Sequence, residues 1–334
     1  MNYRSLIETG IENNLFPGME IIAGDREKII VHEVYGSSGR EDGSEWKMNA
    51  LVDIASVTKV FTASAVAKCR DEKLVDIEKP LEYYLPGASV WPGITLKHLA
   101  SHYSGFDNTK IFFPALQRGE DIADVIFMEK PASSPGRSFC YACINLVLLG
   151  LVVEKVSGKG LGSFCEEFIF GPLKMERTQF GPAAKDLPDA VRMINIEECE
   201  ISDGMARAAR RPIGNAGIFS TATDLSRFCR MLLNSGEFED AGILSPGAVQ
   251  LFETRINPRD GRDRSFCWDM GGDLRPEGMS ERTFYHSGWT GQTIFVDPGK
   301  GIFICVLSNR RGDHGTCKQL RSDIASALCR KFLR

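Results

Sequence analysis

The sequence predicts an α/β protein, of the α+β kind, in which one antiparallel sheet is flanked by helices and carries an inserted helical domain. Two observations lead to this fold class. Strand-like runs occur near both ends of the chain, whereas residues from about 73 to 235 are mainly helical patterns separated by Pro and Gly. We expect one unit over residues 1–334, with an α/β part at about 1–75 and 236–334 and a mainly helical part at about 76–235.

The first 75 residues contain the first strands and a long helix. In chain order we predict a helix at 2–14, strands at 19–23 and 28–35, a polar loop at 36–47, and a helix from Ser56 to about Glu72. The first helix is amphipathic and ends at Pro17-Gly18, because proline and glycine both break helices. The later helix is predicted from apolar residues that recur at helical spacing, among them Val60 and Phe61.

Strand patterns return in the last 70 residues. We predict strands at 284–287, 292–296 and 302–308, followed by a helix at 316–334. The segment 297–301 reads Asp-Pro-Gly-Lys-Gly, which is typical of a turn between two antiparallel strands. These strands therefore extend the sheet that begins at the N-terminus.

Composition narrows the classes of partner. The chain has 334 residues, of which 43% are hydrophobic and 25% charged, as in an ordinary globular protein. Its net charge of −4 gives no electrostatic reason to expect binding to nucleic acid or to an anionic membrane. The longest apolar run, 144–153, is too short to span a bilayer, and no signal sequence is visible at the N-terminus. We therefore expect a cytoplasmic protein.

The ten cysteines are scattered from Cys69 to Cys329, which favours free thiols over a disulfide framework. Cys140 and Cys143 form one CxxC, but no second pair at zinc-site spacing follows. His98 and His102 lie four residues apart without a third ligand, so we predict core or helix-capping roles for both. We expect neither a metal nor an organic cofactor.

Ser56 and Lys59 are the first candidate catalytic pair, in the segment Ser-Val-Thr-Lys. On a helix, residues three apart share one face, and a serine hydroxyl needs a neighbouring base to become a good nucleophile. A lysine withdrawn from water can lose its charge and serve as that base. Spacing alone is weak evidence, because Ser44 and Lys47 repeat it in a polar loop and Ser56 could be an ordinary N-cap.

Three longer stretches strengthen the case for Ser56. Residues 52–87, 94–105 and 214–225 resemble the serine β-lactamase and penicillin-binding protein superfamily, and the resemblance covers roughly residues 12–330. It is closest to the branch of class C β-lactamases, esterases and D-aminopeptidases. The resemblance implies a β-lactamase/transpeptidase-like fold with helices on both faces of the sheet and an active site in the cleft beside the helical domain.

The resemblance also assigns Tyr141, which lies in the segment that matches the family's Tyr-x-Asn element. Tyr141 is expected to act as general base and then as general acid, with its pKa lowered by the positive charge of Lys59. The chain departs from the family at Cys143, which stands where the family has Asn, and a thiol is a weak hydrogen-bonding group. Asn145 could replace the missing amide only if the backbone register shifts.

His286-Ser287-Gly288 matches the family's Lys-Thr-Gly strand, with His in place of Lys. The resemblance implies that His286 bonds the nucleophile network or the substrate, and that glycine lets substrate lie close to the strand. The backbone N–H groups of Trp289 and Ser56 are expected to form the oxyanion hole, and the Trp289 side chain to line the acyl pocket.

We predict a serine hydrolase that works through an acyl-enzyme on Ser56 and takes a small acyl substrate. Carboxylic esters are favoured, because Cys143 and His286 both depart from the lactamase pattern. A D-amino-acid peptidase or amidase is the second hypothesis, and a class C-type β-lactamase is the third. A catalytically silent ligand-binding relative is the alternative from another class.

Overall fold

The structure is a computed structural model that describes residues 2–182, 188–194, 200–256 and 262–332. Its strands are β1 Gly18–Asp25, β2 Ile29–Gly36, β3 Val52–Asp53, β4 Gln179–Phe180, β5 Ile218–Ser220, β6 Glu237–Phe238, β7 Ala241–Gly242, β8 Phe284–Ser287, β9 Gln292–Asp297 and β10 Ile302–Ser308. Its α-helices are α1 Tyr3–Glu12, α2 Thr58–Asp71, α3 Leu96–Ser101, α4 Phe113–Gln117, α5 Ile122–Val125, α6 Ile144–Ser157, α7 Leu161–Cys165, α8 Gly204–Ala209, α9 Ala222–Leu233, α10 Pro246–Glu253 and α11 His314–Phe332.

The main sheet has the strand order β2-β1-β10-β9-β8, and each neighbouring pair is antiparallel. Strand β1 from the N-terminus pairs with β10 from the C-terminus, so that Met19 lies opposite Ser308 and Asp25 opposite Ile302. The predicted antiparallel sheet built from both ends of the chain is confirmed. Strand β8 lies at one edge of this sheet, where Tyr285 also exchanges two backbone hydrogen bonds with Asp269, at 2.9 and 3.0 Å.

Both faces of the sheet are buried at its central strand β10, whose residues alternate between the two faces, whereas the edge strand β2 is mostly half-buried. Ile304 and Val306 belong to the apolar cluster that includes residues of α1 and α11. Phe303 and Cys305 belong to the larger cluster on the opposite face, where the Sγ atoms of Cys305 and Cys229 of α9 are 3.7 Å apart. Helices on both faces therefore remove the sheet from water, as the resemblance implied.

Helices α2 and α6 contact each other directly, and α3, α7 and α10 pack against one or both of them, while α4 contacts α5 and α8. A small sheet of order β3-β5-β4 joins the segment before Ser56 to the middle of the chain. Helix α9 comes from the predicted helical part yet packs on β1 and β10, and the domain boundaries near residues 75 and 236 stay a prediction. Within the described ranges, no helix combines the length and apolar character needed to cross a membrane.

Helix boundaries differ from the predicted ones where local capping intervenes. Helix α11 begins at His314, two residues before the predicted start, and the Asp313 carboxylate accepts the N–H of Thr316 at 2.8 Å. Helix α2 begins only at Thr58, after a 3₁₀ turn over Ala55–Val57. The 3₁₀ turn begins at Ala55, whose backbone has a positive φ and leads directly into the candidate nucleophile Ser56.

Candidate active site

Ser56 follows a residue that has a strained backbone. Ala55 has a φ of 46°, which lies in the left-handed region. Residues with a Cβ rarely adopt this conformation, because it costs about 1–3 kcal/mol. The buried Asp53 carboxylate holds this turn, because its two oxygens accept the N–H of Ala55 at 2.8 Å and the N–H of Ser202 at 2.7 Å. The turn brings Ser56, which is half-buried, to the start of the α2 helix.

Lys59 lies directly below Ser56 and is fully buried. Its ammonium donates to Ser56 Oγ at 3.0 Å and to the carbonyl oxygen of Asn215 at 2.7 Å. The Asn215 carbonyl thus orients the ammonium toward the serine hydroxyl. The structure therefore brings together the two residues that the three-residue spacing predicted.

The charge state of Lys59 corrects one expectation. Burial by itself lowers the pKa of Lys59, but its electrostatic interactions with Cys143, Tyr141 and Asp203 raise it, and the net pKa lies above its ordinary value. Lys59 therefore keeps its proton in the free protein. The structure favours Lys59 as a fixed positive charge rather than as the base that removes the serine proton.

Tyr141 joins this pair from the segment before α6. The Lys59 ammonium lies 5.2 Å from the centre of the Tyr141 ring, and both Ser56 and Lys59 act on the pKa of the phenol. Burial raises the pKa of Tyr141, while Lys59 lowers it, and the net pKa stays above the ordinary value. The expected effect of Lys59 is present, but burial is the larger effect, so Tyr141 is a phenol in the free protein.

Cys143 and Asn145 have different surroundings. Cys143 is half-buried at the N-cap of α6 and interacts electrostatically with Lys59. Asn145 is fully buried, with Oδ1 accepting from Ser104 Oγ at 2.6 Å and Nδ2 lying 3.0 Å from Nδ1 of His102. Both polar ends of the Asn145 amide are thus bonded within the protein, and its contact with substrate stays a prediction.

His286 and Ser287 end the edge strand β8. His286 is buried, and its Nδ1 has no hydrogen-bond partner among the described residues. Burial, reinforced by Lys59 and other nearby positive charges, holds the pKa of His286 well below its ordinary value, so the imidazole is neutral. Ser287 Oγ faces Thr293 Oγ1 at 3.2 Å across the hairpin.

The loop after β8 lies against the segment that precedes Ser56. Thr290 Oγ1 donates to the carbonyl oxygen of Asp53 at 3.2 Å, and a Cβ on Gly288 would lie 2.7 Å from the carbonyl oxygen of Ile54. Within the described chain, the backbone N–H groups of Ser56 and Trp289 donate to no acceptor. Two unpaired N–H groups on adjoining segments are what an oxyanion hole needs.

The Trp289 side chain is exposed yet well supported. It is 57% exposed, although its ring stacks on His314 at 4.6 Å and the guanidinium of Arg310 lies 4.6 Å from the ring centre. Arg310 Nε also donates to the Trp289 carbonyl oxygen at 2.7 Å. These contacts fix the ring beside the Gly288 loop, where we predict that it lines the acyl pocket.

Replacing Gly288 with alanine is expected to lower kcat about 100-fold with little change in KM, because a small displacement of a catalytic donor has an effect of this size. The new methyl group would lie 2.5 Å from Gln292 Oε1 and 2.7 Å from Ile54 O, so the loop that carries Trp289 N–H must move. Steady-state kinetics on an ester measure this. Gly242→Ala is the matched control, since no atom lies within 4 Å of its added Cβ; equal kinetics for Gly288→Ala and wild type would contradict the prediction.

Two residues near the site were not among the predicted catalytic or substrate-binding residues. Asn215 contributes only its carbonyl oxygen, which no side-chain pattern reports, although it lies within the family-like stretch 214–225. His102 was assigned a core or capping role, and it does cap α3, but it also contacts the segment around Tyr141. Its position in the family-like stretch 94–105 was the available signal.

Comparison with known proteins identifies the family. Residues 3–328 match the family model described as Beta-lactamase. The chain is 25% identical to N-acetylmuramyl-L-alanine amidase of Bacillus subtilis, over 89% of this chain and 78% of the relative, and 24% identical to a putative D-alanyl-D-alanine carboxypeptidase of Escherichia coli K12, over 88% and 79%. It shares a fold with EstCE1, a hydrolase with promiscuous acyltransferase activity, at a TM-score of 0.80 and 20% identity, over 97% of each chain. The protein belongs to the β-lactamase family, and its relatives there are hydrolases of the serine β-lactamase and penicillin-binding protein type.

Proposed function

We propose that this protein is a carboxylesterase that hydrolyses small, uncharged acyl esters through an acyl-enzyme on Ser56. The observation that carries the proposal is the neutral, buried imidazole of His286. A lysine at this position would offer a permanent positive charge to a substrate carboxylate, whereas a neutral imidazole does not. An ester without a carboxylate loses nothing by this change.

Cys143 supports the same choice of substrate. An amide side chain can donate a strong hydrogen bond to the carbonyl oxygen of a substrate amide and accept one from its N–H, and a thiol does both weakly. Esters have no N–H group, and they are cleaved more readily because an alkoxide is a better leaving group than the anion of an amine. The half-buried thiol at the N-cap of α6 is therefore a smaller handicap for esters than for peptides or β-lactams.

In the proposed mechanism, Ser56 Oγ attacks the ester carbonyl while its proton moves to the oxygen of Tyr141. Tyr141 acts as its phenolate, which the Lys59 ammonium stabilises. The N–H groups of Ser56 and Trp289 stabilise the tetrahedral oxyanion. The carbon–oxygen bond to the alcohol then breaks, Tyr141 returns its proton to the leaving alkoxide, and water hydrolyses the acyl-enzyme.

A second candidate function is hydrolysis of amides of D-amino acids. The names of the two curated relatives, an amidase and a putative D-alanyl-D-alanine carboxypeptidase, favour it. Lys318 acts electrostatically on His286 and is half-buried, so it offers a positive charge for a carboxylate near the same strand. β-Lactam hydrolysis ranks third, because it asks for the amide that Cys143 replaces.

The test compares initial rates of the purified protein on p-nitrophenyl butyrate, D-alanyl-p-nitroanilide and nitrocefin at one pH. We expect kcat/KM on the ester to exceed that on the other two substrates by at least about 100-fold, in line with the loss of one or two hydrogen bonds to an amide. A higher kcat/KM on the anilide or on nitrocefin overturns the esterase proposal. No rate on any of them points to the silent ligand-binding alternative.

A further inference from the structure

His102 ends helix α3 in an unusual backbone conformation. Its φ is 62° and its ψ is 34°, and its N–H donates to the Leu99 carbonyl oxygen at 3.1 Å. Among residues with a Cβ, Asn, Asp and His adopt the left-handed region most readily. The residue is fully buried, so this backbone conformation directs the imidazole into the interior.

Most contacts of His102 are made with the short segment that carries Tyr141. The His102 carbonyl oxygen accepts the N–H of Cys140 at 2.9 Å, and the imidazole Nδ1 accepts the N–H of Ala142 at 3.2 Å. The imidazole also packs on the Tyr141 ring, with the ring centres 4.5 Å apart and the planes 32° apart. One residue thus holds both neighbours of Tyr141 and one face of its ring.

The surrounding hydrogen bonds decide which nitrogen of His102 carries the proton. Phe106 N–H donates to Ser104 Oγ at 3.2 Å, and Ser104 Oγ in turn donates to Asn145 Oδ1 at 2.6 Å. This orients the Asn145 amide so that Nδ2 donates to His102 Nδ1 at 3.0 Å. Because Nδ1 accepts from two donors, the proton lies on Nε2 and the ring is neutral.

We propose that His102 is a positioning residue for the reaction: as a neutral imidazole protonated on Nε2, it holds the backbone on both sides of Tyr141 and supports its ring, so that the phenol oxygen stays at Ser56 and Lys59. This inference rests on the proposed role of Tyr141 in proton transfer. His102 itself touches neither the nucleophile nor the substrate in this assignment.

The charges around His102 keep it in this form. Burial holds the pKa of His102 well below its ordinary value, and Arg264, Lys59 of α2 and His286 of β8 act in the same direction. Tyr141, whose ring packs on the imidazole, is a neutral phenol in the free protein. A protonated His102 would point an N–H at two donors, so its neutral state and the placement of Tyr141 depend on each other.

Two substitutions separate the hydrogen-bond acceptor from the bulk of the ring. His102→Leu fills a similar volume without an acceptor. His102→Asn keeps an acceptor atom bonded to Cγ, as Nδ1 is, and tolerates the left-handed backbone. His98→Asn is the matched control, because His98 is the other histidine of α3 and its hydrogen bonds reach Thr95 and Tyr103 rather than the Tyr141 segment.

We expect His102→Leu to lower kcat on p-nitrophenyl butyrate about 30- to 100-fold with KM within about twofold, as a misplaced catalytic group does. His102→Asn should recover kcat to within about fivefold of wild type, and His98→Asn should match wild type. The alkaline rise in rate should shift in His102→Leu, because it follows ionisation of Tyr141. Circular dichroism and thermal unfolding of all variants verify that each is folded at the assay temperature.

Wild-type kcat in His102→Leu overturns the inference, and so does an equal loss in His102→Asn and His102→Leu. Labelling of Ser56 by a fluorophosphonate separates this inference from the esterase proposal, since it reports nucleophile activation without an ester. Slower labelling of His102→Leu supports the positioning role even if wild type hydrolyses no ester. Unchanged labelling in that variant overturns it.

Discussion

Replacing Ser56 with alanine is expected to lower kcat for ester hydrolysis by about 10⁴-fold or more, leaving only a residual contribution from substrate binding and the oxyanion hole. The serine hydroxyl is the only group that forms the acyl-enzyme in the proposed mechanism. Its Oγ accepts from the Lys59 ammonium at 3.0 Å, and the variant leaves that ammonium bonded to the Asn215 carbonyl. The protein should therefore stay folded while the reaction is lost.

The chain provides its own control for this substitution. Ser44 repeats the same spacing to Lys47 in the loop after β2, where Lys47 is 70% exposed and pairs with Asp189 at 3.4 Å. Ser44→Ala should hydrolyse p-nitrophenyl butyrate at the wild-type rate. A fluorophosphonate probe followed by mass spectrometry should modify wild type and Ser44→Ala but not Ser56→Ala. Equal rates for Ser56→Ala and wild type would refute Ser56 as nucleophile.

Replacing Lys59 with methionine should lower kcat by about 10³-fold, within the range for loss of a group that assists proton transfer. The substitution removes the positive charge that favours the Tyr141 phenolate, while a side chain of similar length fills the space. A buried charge without a carboxylate partner in its hydrogen-bond shell is costly to the fold. Its removal offsets the lost bond to Asn215, so the melting temperature should change by less than about 3 °C.

The measurement for Lys59 combines steady-state kinetics with thermal unfolding. Lys47→Met is the matched control, because Lys47 is exposed and follows Ser44 at the same three-residue spacing as Lys59 follows Ser56. The control should keep wild-type kcat. A Lys59→Met protein that retains at least about a third of wild-type kcat would show that Tyr141 ionises without Lys59 and would remove Lys59 from the mechanism.

The pKa values of Lys59 and Tyr141 are both raised, and this bears on which residue accepts the proton of Ser56. Because the pKa of Lys59 is raised and Lys59 keeps its proton, the proposed mechanism assigns proton transfer to Tyr141, whose phenolate the Lys59 charge favours. Burial raises the pKa of Tyr141, and it outweighs Lys59 and Ser56, which both lower that pKa. The enzyme is thus expected to gain activity as pH rises above neutrality, since the phenolate fraction grows.

Much of the fold was predictable because its signals are local. The boundaries of β8 and β10 agree with the predicted strands, since runs of apolar and β-branched residues bounded by turn residues are typical of buried strands. The pairing of β1 with β10 followed from having strands at both ends and helices between them. The start of α2 was less predictable, because it depends on the left-handed backbone of Ala55. The Asp53 carboxylate holds that backbone and is itself bonded to the N–H of Ser202, which is far away in the sequence.

The candidate site divides in the same way. Helical geometry was enough to predict from the sequence that Ser56 and Lys59 share one face of a helix. The role of the motif around Tyr141 was predicted from its resemblance to the family. The charge of Lys59, the hydrogen bonds at both ends of the Asn145 amide and the packing of His102 on Tyr141 all arise from tertiary contacts. Charge state and orientation depend on burial and on contacts between residues far apart in the sequence, such as Lys59 and Asn215, which are 156 positions apart. No local pattern encodes those contacts.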